Sequence, residues 1–140
     1  MANFYYATKG TIEPDGIRHL SIAEVPDMME NPWKYYVPPF RIAPHVWFVA
    51  GIHDISSYIV DTGDGLILID CPSVHTVYLQ LESIRNAGYD PHNIKHIFIT
   101  HAHGDHYGGV RPIQEYTGAK VWMSREDDED FAARLAAGTV

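Results

Sequence analysis

The hydrophobic pattern from residue 45 onward consists of short β-prone runs separated by turns, several of which contain glycine. Each run is rich in β-branched or aromatic residues, which is typical of strands that pack on at least one face. Five such runs predict five strands: 46–49, 58–60, 66–69, 94–100 and 120–123. Gly63 and Gly65 lie between the second and third runs and allow the positive φ that a tight hairpin requires.

Three helices are predicted between and after these strands. The first begins at Ser73, an N-cap residue, and ends before Gly88, which suits the C′ position. Its apolar face is formed by Val77, Tyr78, Leu81 and Ile84. The second helix covers 110–117 and is closed by Gly118, and a third begins at Ser124 with an acidic residue three positions later. The predicted order is β-β-β-α-β-α-β-α, an α/β (α+β) arrangement.

Residues 1–40 follow a different pattern from the rest of the chain. They contain several prolines and many aromatic side chains, which favour an irregular but apolar segment. A short helix over about 21–30 is expected to be weak because Pro26 lies in its middle. We therefore divide the chain into an arm or flap over 1–40 and a domain over 41–140.

Composition narrows the class of protein. With 140 residues and 46% apolar side chains, the chain has enough apolar surface for one packed domain. A net charge of −8 disfavours a nucleic-acid partner, and no apolar run approaches the roughly 20 residues that span a bilayer. Cys71 is the single cysteine, and the first residues lack the features of a signal peptide, so we predict a cytoplasmic protein.

The strongest chemical signal follows the fourth predicted strand. Four metal-competent side chains occupy six consecutive positions in an H-x-H-x-D-H pattern: His101, His103, Asp105 and His106. If the segment stays extended, His101 and His103 point the same way, and glycines allow the next residues to turn. Chance predicts roughly 0.003 such matches in a chain of this composition. A metal site is favoured over the alternative, a surface histidine cluster.

The donor types indicate which metal and which chemistry. Imidazole and carboxylate suit Zn²⁺, with Fe or Mn as alternatives, and no thiol lies nearby to close a structural zinc site. An open coordination position would turn a bound water into hydroxide near neutral pH, the nucleophile of a hydrolase. Asp105 would then be both a metal ligand and the catalytic proton acceptor.

Residues 100–106 resemble the signature of the metallo-β-lactamase fold superfamily. Similarity to the third (B3) subclass of this superfamily and to the bacterial relatives of that subclass extends over roughly residues 39–137. It is carried by four further segments: 39–43, 57–60, 65–70 and 117–120. The resemblance implies an αβ/βα sandwich in which His101 and His103 bind the first zinc and Asp105 and His106 the second. In that family each metal takes a further histidine from the second half. No histidine follows His106, so the chain corresponds to the amino-terminal αβ half.

Four other residues have weaker functional indications. Asp70, at the end of the third predicted strand, is either an acceptor that orients a metal histidine or a plain strand-end residue. His53 and Asp54 lie in a loop that borders the active site in the resembling proteins, or simply in a solvated turn. Tyr107 either touches substrate or packs at the start of a helix. Cys71 is expected to be a buried small hydrophobe.

The predicted function is a zinc-dependent metallohydrolase acting on a small ester, thioester, lactone or amide. One alternative is a subclass B3-like β-lactamase, and another is a truncated, non-catalytic metal-binding or assembly module. The partners expected are a small-molecule substrate and either a second copy of the chain or a carboxyl-terminal half. Half of a layered sandwich would expose one apolar face of its sheet.

Overall fold

The structure, a computed structural model, describes residues 24–53 and 55–138. Within that part, six strands form one sheet whose spatial order follows the chain. The strands are β1 (Phe40–Ala43), β2 (Val46–Phe48), β3 (Tyr58–Asp61), β4 (Leu66–Ile69), β5 (Ile94–Phe98) and β6 (Lys120–Trp122). Neighbours from β1 to β4 pair antiparallel, whereas β4, β5 and β6 are parallel.

Helices provide the crossovers that parallel strands need. The helices are α1 (Val25–Glu30), α2 (Val77–Asn86), α3 (Gly104–Tyr107), α4 (Val110–Thr117) and α5 (Arg125–Ala136). Helix α2 connects β4 to β5, and α3 with α4 connects β5 to β6. The core joins Ile84 of α2 and Ile113 of α4 to the sheet residues Ile59, Leu68 and Ile97, all of them fully buried.

All five predicted strands and all three predicted helices are present, with ends shifted by up to four residues at helix starts and two at strand ends. Strand β1 was not predicted. Its four residues are all exposed, so no buried face distinguishes this strand from the irregular segment before it. Tyr78 was wrongly placed on the buried face of α2, since its side chain is 49% exposed. The buried face carries Gln80 and Ser83, which a purely apolar pattern does not reveal.

The opposite face of the sheet exposes a continuous row of large side chains. Register places one residue of each strand side by side across the sheet: Phe40, Phe48, Tyr58, Ile69, Phe98 and Trp122. Phe98 is 43% exposed and Trp122 48% exposed, and their rings stack at 6.0 Å. In the described part of the chain this aromatic row is therefore an open apolar face, as the sequence predicted.

The described residues before β1, 24–39, contact the loop between β2 and β3. Met28 and Tyr35 bury against Ile52 and Ile55 in a small second cluster. Helix α1 begins at Val25, which places Pro26 in the first turn, where proline is tolerated. The predicted helix start at 21–23 lies outside the described residues, and the division at residue 40 stays a prediction. No described helix has the length and hydropathy needed to cross a bilayer.

Candidate metal centre

Three loops meet at one edge of the sheet because β4, β5 and β6 are parallel and end there. Asp70 directly follows β4, and the segment 100–106 follows β5. Residues 124–127 follow β6 and enter α5. The carboxyl ends of parallel strands are where α/β folds usually place ligands, so the candidate site has the expected position.

His101 and His103 approach each other with their ring nitrogens. Nε2 of His101 lies 3.1 Å from Nδ1 of His103. Two nitrogens bound to one tetrahedral zinc ion would lie about 3.3 Å apart, so this separation suits a shared ion. The segment does not stay extended, which was the condition for the two rings to point the same way. It bends at 100–102, and the amide of His103 donates to the carbonyl of His101 at 3.0 Å. The side chains meet through this bend instead.

Asp105 and His106 form a second donor pair on α3. Oδ2 of Asp105 lies 3.7 Å from Nε2 of His106, and the Asp105 side chain is 56% exposed. The His101 and His106 rings are only 4.1 Å apart between centroids, so the two pairs are adjacent. The structure thus brings all four predicted donor side chains together.

A hydrogen-bond network around Asp70 sets the orientation of two of these rings. Oδ2 of Asp70 accepts from Nδ1 of His106 at 2.9 Å and from the hydroxyl of Thr100 at 2.7 Å. Because that hydroxyl has one proton, which it donates to Asp70, it must accept from Nδ1–H of His101 at 3.0 Å. Both rings therefore carry their proton on Nδ1, which leaves the lone pair of each ring on Nε2. In His101 that lone pair accepts from Nδ1–H of His103, and a metal bound by both nitrogens would take the place of that proton.

Buried polar side chains hydrogen-bond to the backbone of Asp70. Its φ of +59° is in the left-handed region, which aspartate tolerates better than most residues. Its carbonyl accepts from the Ser57 hydroxyl at 2.8 Å and from the Gln80 amide at 3.1 Å. Sequence analysis missed Thr100, Ser57 and Gln80. Only Thr100 offered a signal, as the hydroxyl residue next to the first histidine.

Helix α5 also contacts the donor segment, a feature that sequence analysis missed. The backbone amide of Ala102 donates to Oδ1 of Asp127 at 3.1 Å, and the Ala102 carbonyl accepts from the guanidinium of Arg134 at 2.9 Å. The hydrogen bonds from the Ser124 hydroxyl and from this amide lower the pKa of Asp127 from its ordinary value. The sequence predicted Asp127 only as part of a helix start. Its backbone amide does make the N-cap hydrogen bond of α5, donating to the Ser124 hydroxyl at 3.0 Å.

The remaining predicted residues have no demonstrated role. Tyr107 packs edge-to-face on Phe131 with ring centroids 5.0 Å apart, which favours the packing alternative. His53 is exposed, and Asp54 lies outside the described residues. Cys71 is fully buried, and desolvation raises the pKa of its thiol. It is therefore the inert small hydrophobe that the sequence predicted.

The donor set fits metal ions as two incomplete sites. Across residues 24–53 and 55–138, no three histidine, cysteine or acidic side chains are arranged to hold one ion. Each pair supplies two donors of the type zinc prefers, a nitrogen pair or a nitrogen with a carboxylate. A separate cavity of about 990 Å³ lies between α4, β6 and α5, where Tyr107 and Met123 line it, and none of the four donors does.

Comparison with known proteins identifies the family. The sequence profile of the Metallo-beta-lactamase superfamily matches residues 50–139, and the chain belongs to this superfamily. The first B3 metallo-beta-lactamase with an active-site glutamic acid shares 36% identity with this chain at a TM-score of 0.67. That match covers 75% of this chain and 38% of the other. The FEZ-1 enzyme from Legionella gormanii matches at 35% identity and a TM-score of 0.64, over 66% of this chain and 35% of its own.

The curated relatives include a hydrolase and an uncharacterised protein. Hydroxyacylglutathione hydrolase from Shewanella baltica is 29% identical over 85 residues, which are 61% of this chain and 27% of that enzyme. The uncharacterised protein YobT of Bacillus subtilis is 29% identical over 86 residues, 59% of this chain and 36% of its own. The chain thus spans well under half the length of these relatives. The predicted fold, an amino-terminal αβ half of the metallo-β-lactamase sandwich, is confirmed, as is membership of a hydrolase family.

Proposed function

We propose that this chain carries the amino-terminal half of a dinuclear zinc hydrolase site. The observation that carries the proposal is the pair of adjacent donor sets, in which hydrogen bonds from Nδ1 to Thr100 and Asp70 place the lone pairs of His101 and His106 on Nε2. Zinc bound there would supply Lewis acidity and lower the pKa of a bound water to about 7. Iron or manganese are the alternative occupants, since both accept imidazole and carboxylate.

The chain's own residues divide the work. His101 and His103 would hold one ion, and Asp105 with His106 the second. The exposed carboxylate of Asp105 is accessible to accept a proton, whereas Asp70 is buried and acts through His106 and Thr100. A neutral His106 ring held at Nδ1 presents one lone pair in one direction, which is what a fixed ligand requires.

The substrate we propose is a small ester, thioester, lactone or amide. By their names, the relatives hydrolyse an acylated glutathione or β-lactams. The chain's net charge of −8 disfavours a polyanionic substrate. A cytoplasmic location stays a prediction.

Two other functions stay in view. A subclass B3-like β-lactamase is favoured by the 36% identity to a B3 enzyme of known structure. A non-catalytic metal-binding or assembly module is favoured by the two donors per ion and by the open aromatic row. In both cases the partner proposed for that face is a carboxyl-terminal half or a second copy of the chain.

Zinc binding by the purified chain tests the proposal. Competition against a chromophoric chelator should show zinc uptake by the wild-type chain. The substitutions His103→Ala and Asp105→Asn should lower zinc affinity by more than the roughly 10–100-fold that changes to residues outside the ligand set cost. His92→Ala is the matched control, because His92 lies at the opposite end of β5. Zinc uptake that is unchanged in both ligand variants, or lost equally in the control, would refute the ligand assignment.

A further inference from the structure

The peptide groups of Ala102 are held from both sides by one helix. Ala102 lies between the donors His101 and His103 and is only 3% exposed. Its amide donates to Asp127 and its carbonyl accepts from Arg134, both on α5, at 3.1 and 2.9 Å. These contacts link the donor segment to a helix that begins more than twenty residues later in the chain.

The two side chains that make this contact are themselves fixed. Oδ2 of Asp127 accepts from the Ser124 hydroxyl at 2.8 Å, which leaves Oδ1 directed at Ala102. Arg134 is paired with Asp130 at 2.8 Å, one helical turn before it. Positions 127, 130 and 134 follow the i, i+3, i+7 spacing of a single helix face.

The same face of α5 contacts the donor segment at a second point. Phe131 packs its ring edge-to-face against Tyr107, the residue after the donor His106. The helix therefore contacts the segment both between the first donor pair and directly after the second. Neither Asp127 nor Arg134 is among the proposed metal ligands, so both would act through the backbone.

We infer that α5 positions the metal-binding segment, with Asp127 and Arg134 as positioning residues that clamp the peptide groups of Ala102. This inference rests on the proposed function. The 3.1 Å separation of the two ring nitrogens depends on the bend at 100–102, because the backbone angles there direct both side chains. Metal sites tolerate deviations of only about 0.2 Å in ligand distance, so release of Ala102 should weaken the first donor pair.

The test compares Asp127→Ala with Asp127→Asn and with a matched control. The asparagine variant keeps an oxygen that can accept from Ala102, and its amide can donate to Ser124. Glu129→Ala removes the same charge from the opposite face of α5. Zinc affinity is measured by chelator competition, the donor geometry by the visible spectrum of bound Co²⁺, and the clamp by hydrogen exchange of the Ala102 amide in the metal-free chain.

We expect Asp127→Ala to weaken zinc binding about tenfold, to alter the Co²⁺ spectrum and to accelerate Ala102 exchange. Asp127→Asn should stay within about threefold of wild type, and Glu129→Ala within about twofold, with wild-type spectra. If Asp127→Ala does not fold by circular dichroism, Arg134→Gln decides, since it breaks the other contact to the same residue and should have the same effects.

Two results overturn the inference alone. One is wild-type zinc affinity and a wild-type Co²⁺ spectrum in Asp127→Ala, or in Arg134→Gln where that variant replaces it. The other is an equal loss of zinc affinity in Glu129→Ala. A wild-type chain that binds no zinc overturns the proposed function and, with it, this inference. The cases are distinguished because wild-type zinc uptake is measured first.

Discussion

At the scale of single residues, Asp70 organises the centre. It is buried, adopts a left-handed backbone conformation that costs about 1–2 kcal/mol in most residues, and accepts three hydrogen bonds through its carboxylate. Its two carboxylate oxygens bind the backbone amide and hydroxyl of Thr100, after β5, and the ring of His106 in α3. One side chain thus sets the directions of donors that belong to both pairs.

Asp70→Asn is predicted to change the protonation of the His106 ring. The amide group would present N–H where an oxygen now accepts, so Nδ1 of His106 would become the acceptor and its proton would move to Nε2. Zinc affinity should fall about 10–100-fold. Imidazole ¹⁵N shifts report the tautomer and chelator competition reports the affinity. Asp64→Asn, in the exposed turn after β3, is the control. An unchanged His106 tautomer together with full affinity would contradict the assigned network.

At the scale of elements, the donor segment is held against the loop after β4. The amide of Cys71 donates to the carbonyl of His106 at 2.8 Å. Gly109, which precedes α4, packs closely against Pro72. A Cβ at Gly109 would lie 2.6 Å from the Pro72 carbonyl and 2.8 Å from a Val77 methyl. The close approach of α4 to this loop therefore depends on the absence of a side chain.

Gly109→Ala should accordingly lower the free energy of unfolding by about 1–3 kcal/mol, the usual cost of overpacking. Gly104→Ala is the matched control, because a Cβ there meets no atom within 4 Å and the residue begins α3. Urea unfolding of both variants compares them directly. Equal stability of the two alanine variants would show that α4 can shift at no cost.

The small cluster around α1 predicts a pH dependence. Hydrogen bonds from Lys34 and then Tyr35 hold the pKa of Asp27 below its ordinary value of about 3.8. A carboxyl whose pKa is lower in the folded state stabilises the fold above the unfolded pKa, and this contribution disappears as pH falls through the folded value. Asp27→Asn should therefore be less stable than wild type at neutral pH, and the difference should shrink below about pH 3.8.

Unfolding midpoints measured between pH 7 and pH 2 check this expectation, with Glu30→Gln as an exposed carboxyl control on the same helix. A difference between wild type and Asp27→Asn that stays constant across this range would contradict the role of the charge.

Most elements could be predicted from sequence because their residues pack on at least one face. Strand β4, with its two buried leucines, begins and ends where predicted, whereas β1 has no buried face and was not predicted. The four donors were found because they are contiguous in sequence. Asp127 and Arg134 could not be found, since they lie 25 and 32 residues from Ala102 and meet it only through the parallel order of β5 and β6.

At the scale of the whole molecule, the sheet has helices on one face and an aromatic row on the other. Two side chains of that row, Phe98 and Trp122, stack on each other and are nearly half exposed. A contiguous apolar surface of this kind marks an interaction site in soluble proteins. It is the face that the second half of the sandwich would cover.

We therefore predict that the purified chain associates with itself at tens of micromolar. Trp122→Thr should reduce association while it preserves the strand, because threonine favours β structure without the apolar area. Tyr116→Thr, an exposed aromatic on α4, is the control. Sedimentation velocity distinguishes the outcomes, and a compact, ideal wild-type monomer at that concentration would contradict the prediction.

The last prediction concerns catalysis by the 140-residue chain. A catalytic zinc normally has three protein ligands and one open position, whereas each donor pair here supplies two. An ion held by two side chains is loosely positioned, and substrate has only one wall of a site to bind. A second copy would add the same four donors, so self-association should not complete the centre.

We expect no appreciable hydrolysis of a β-lactam, a thioester, a lactone or a phosphodiester with added zinc. A longer chain that adds a second αβ half, or a mixture with that half, should gain activity. His101→Ala provides the blank, and turnover by the pure 140-residue chain that disappears in this blank would show that the amino-terminal half is sufficient.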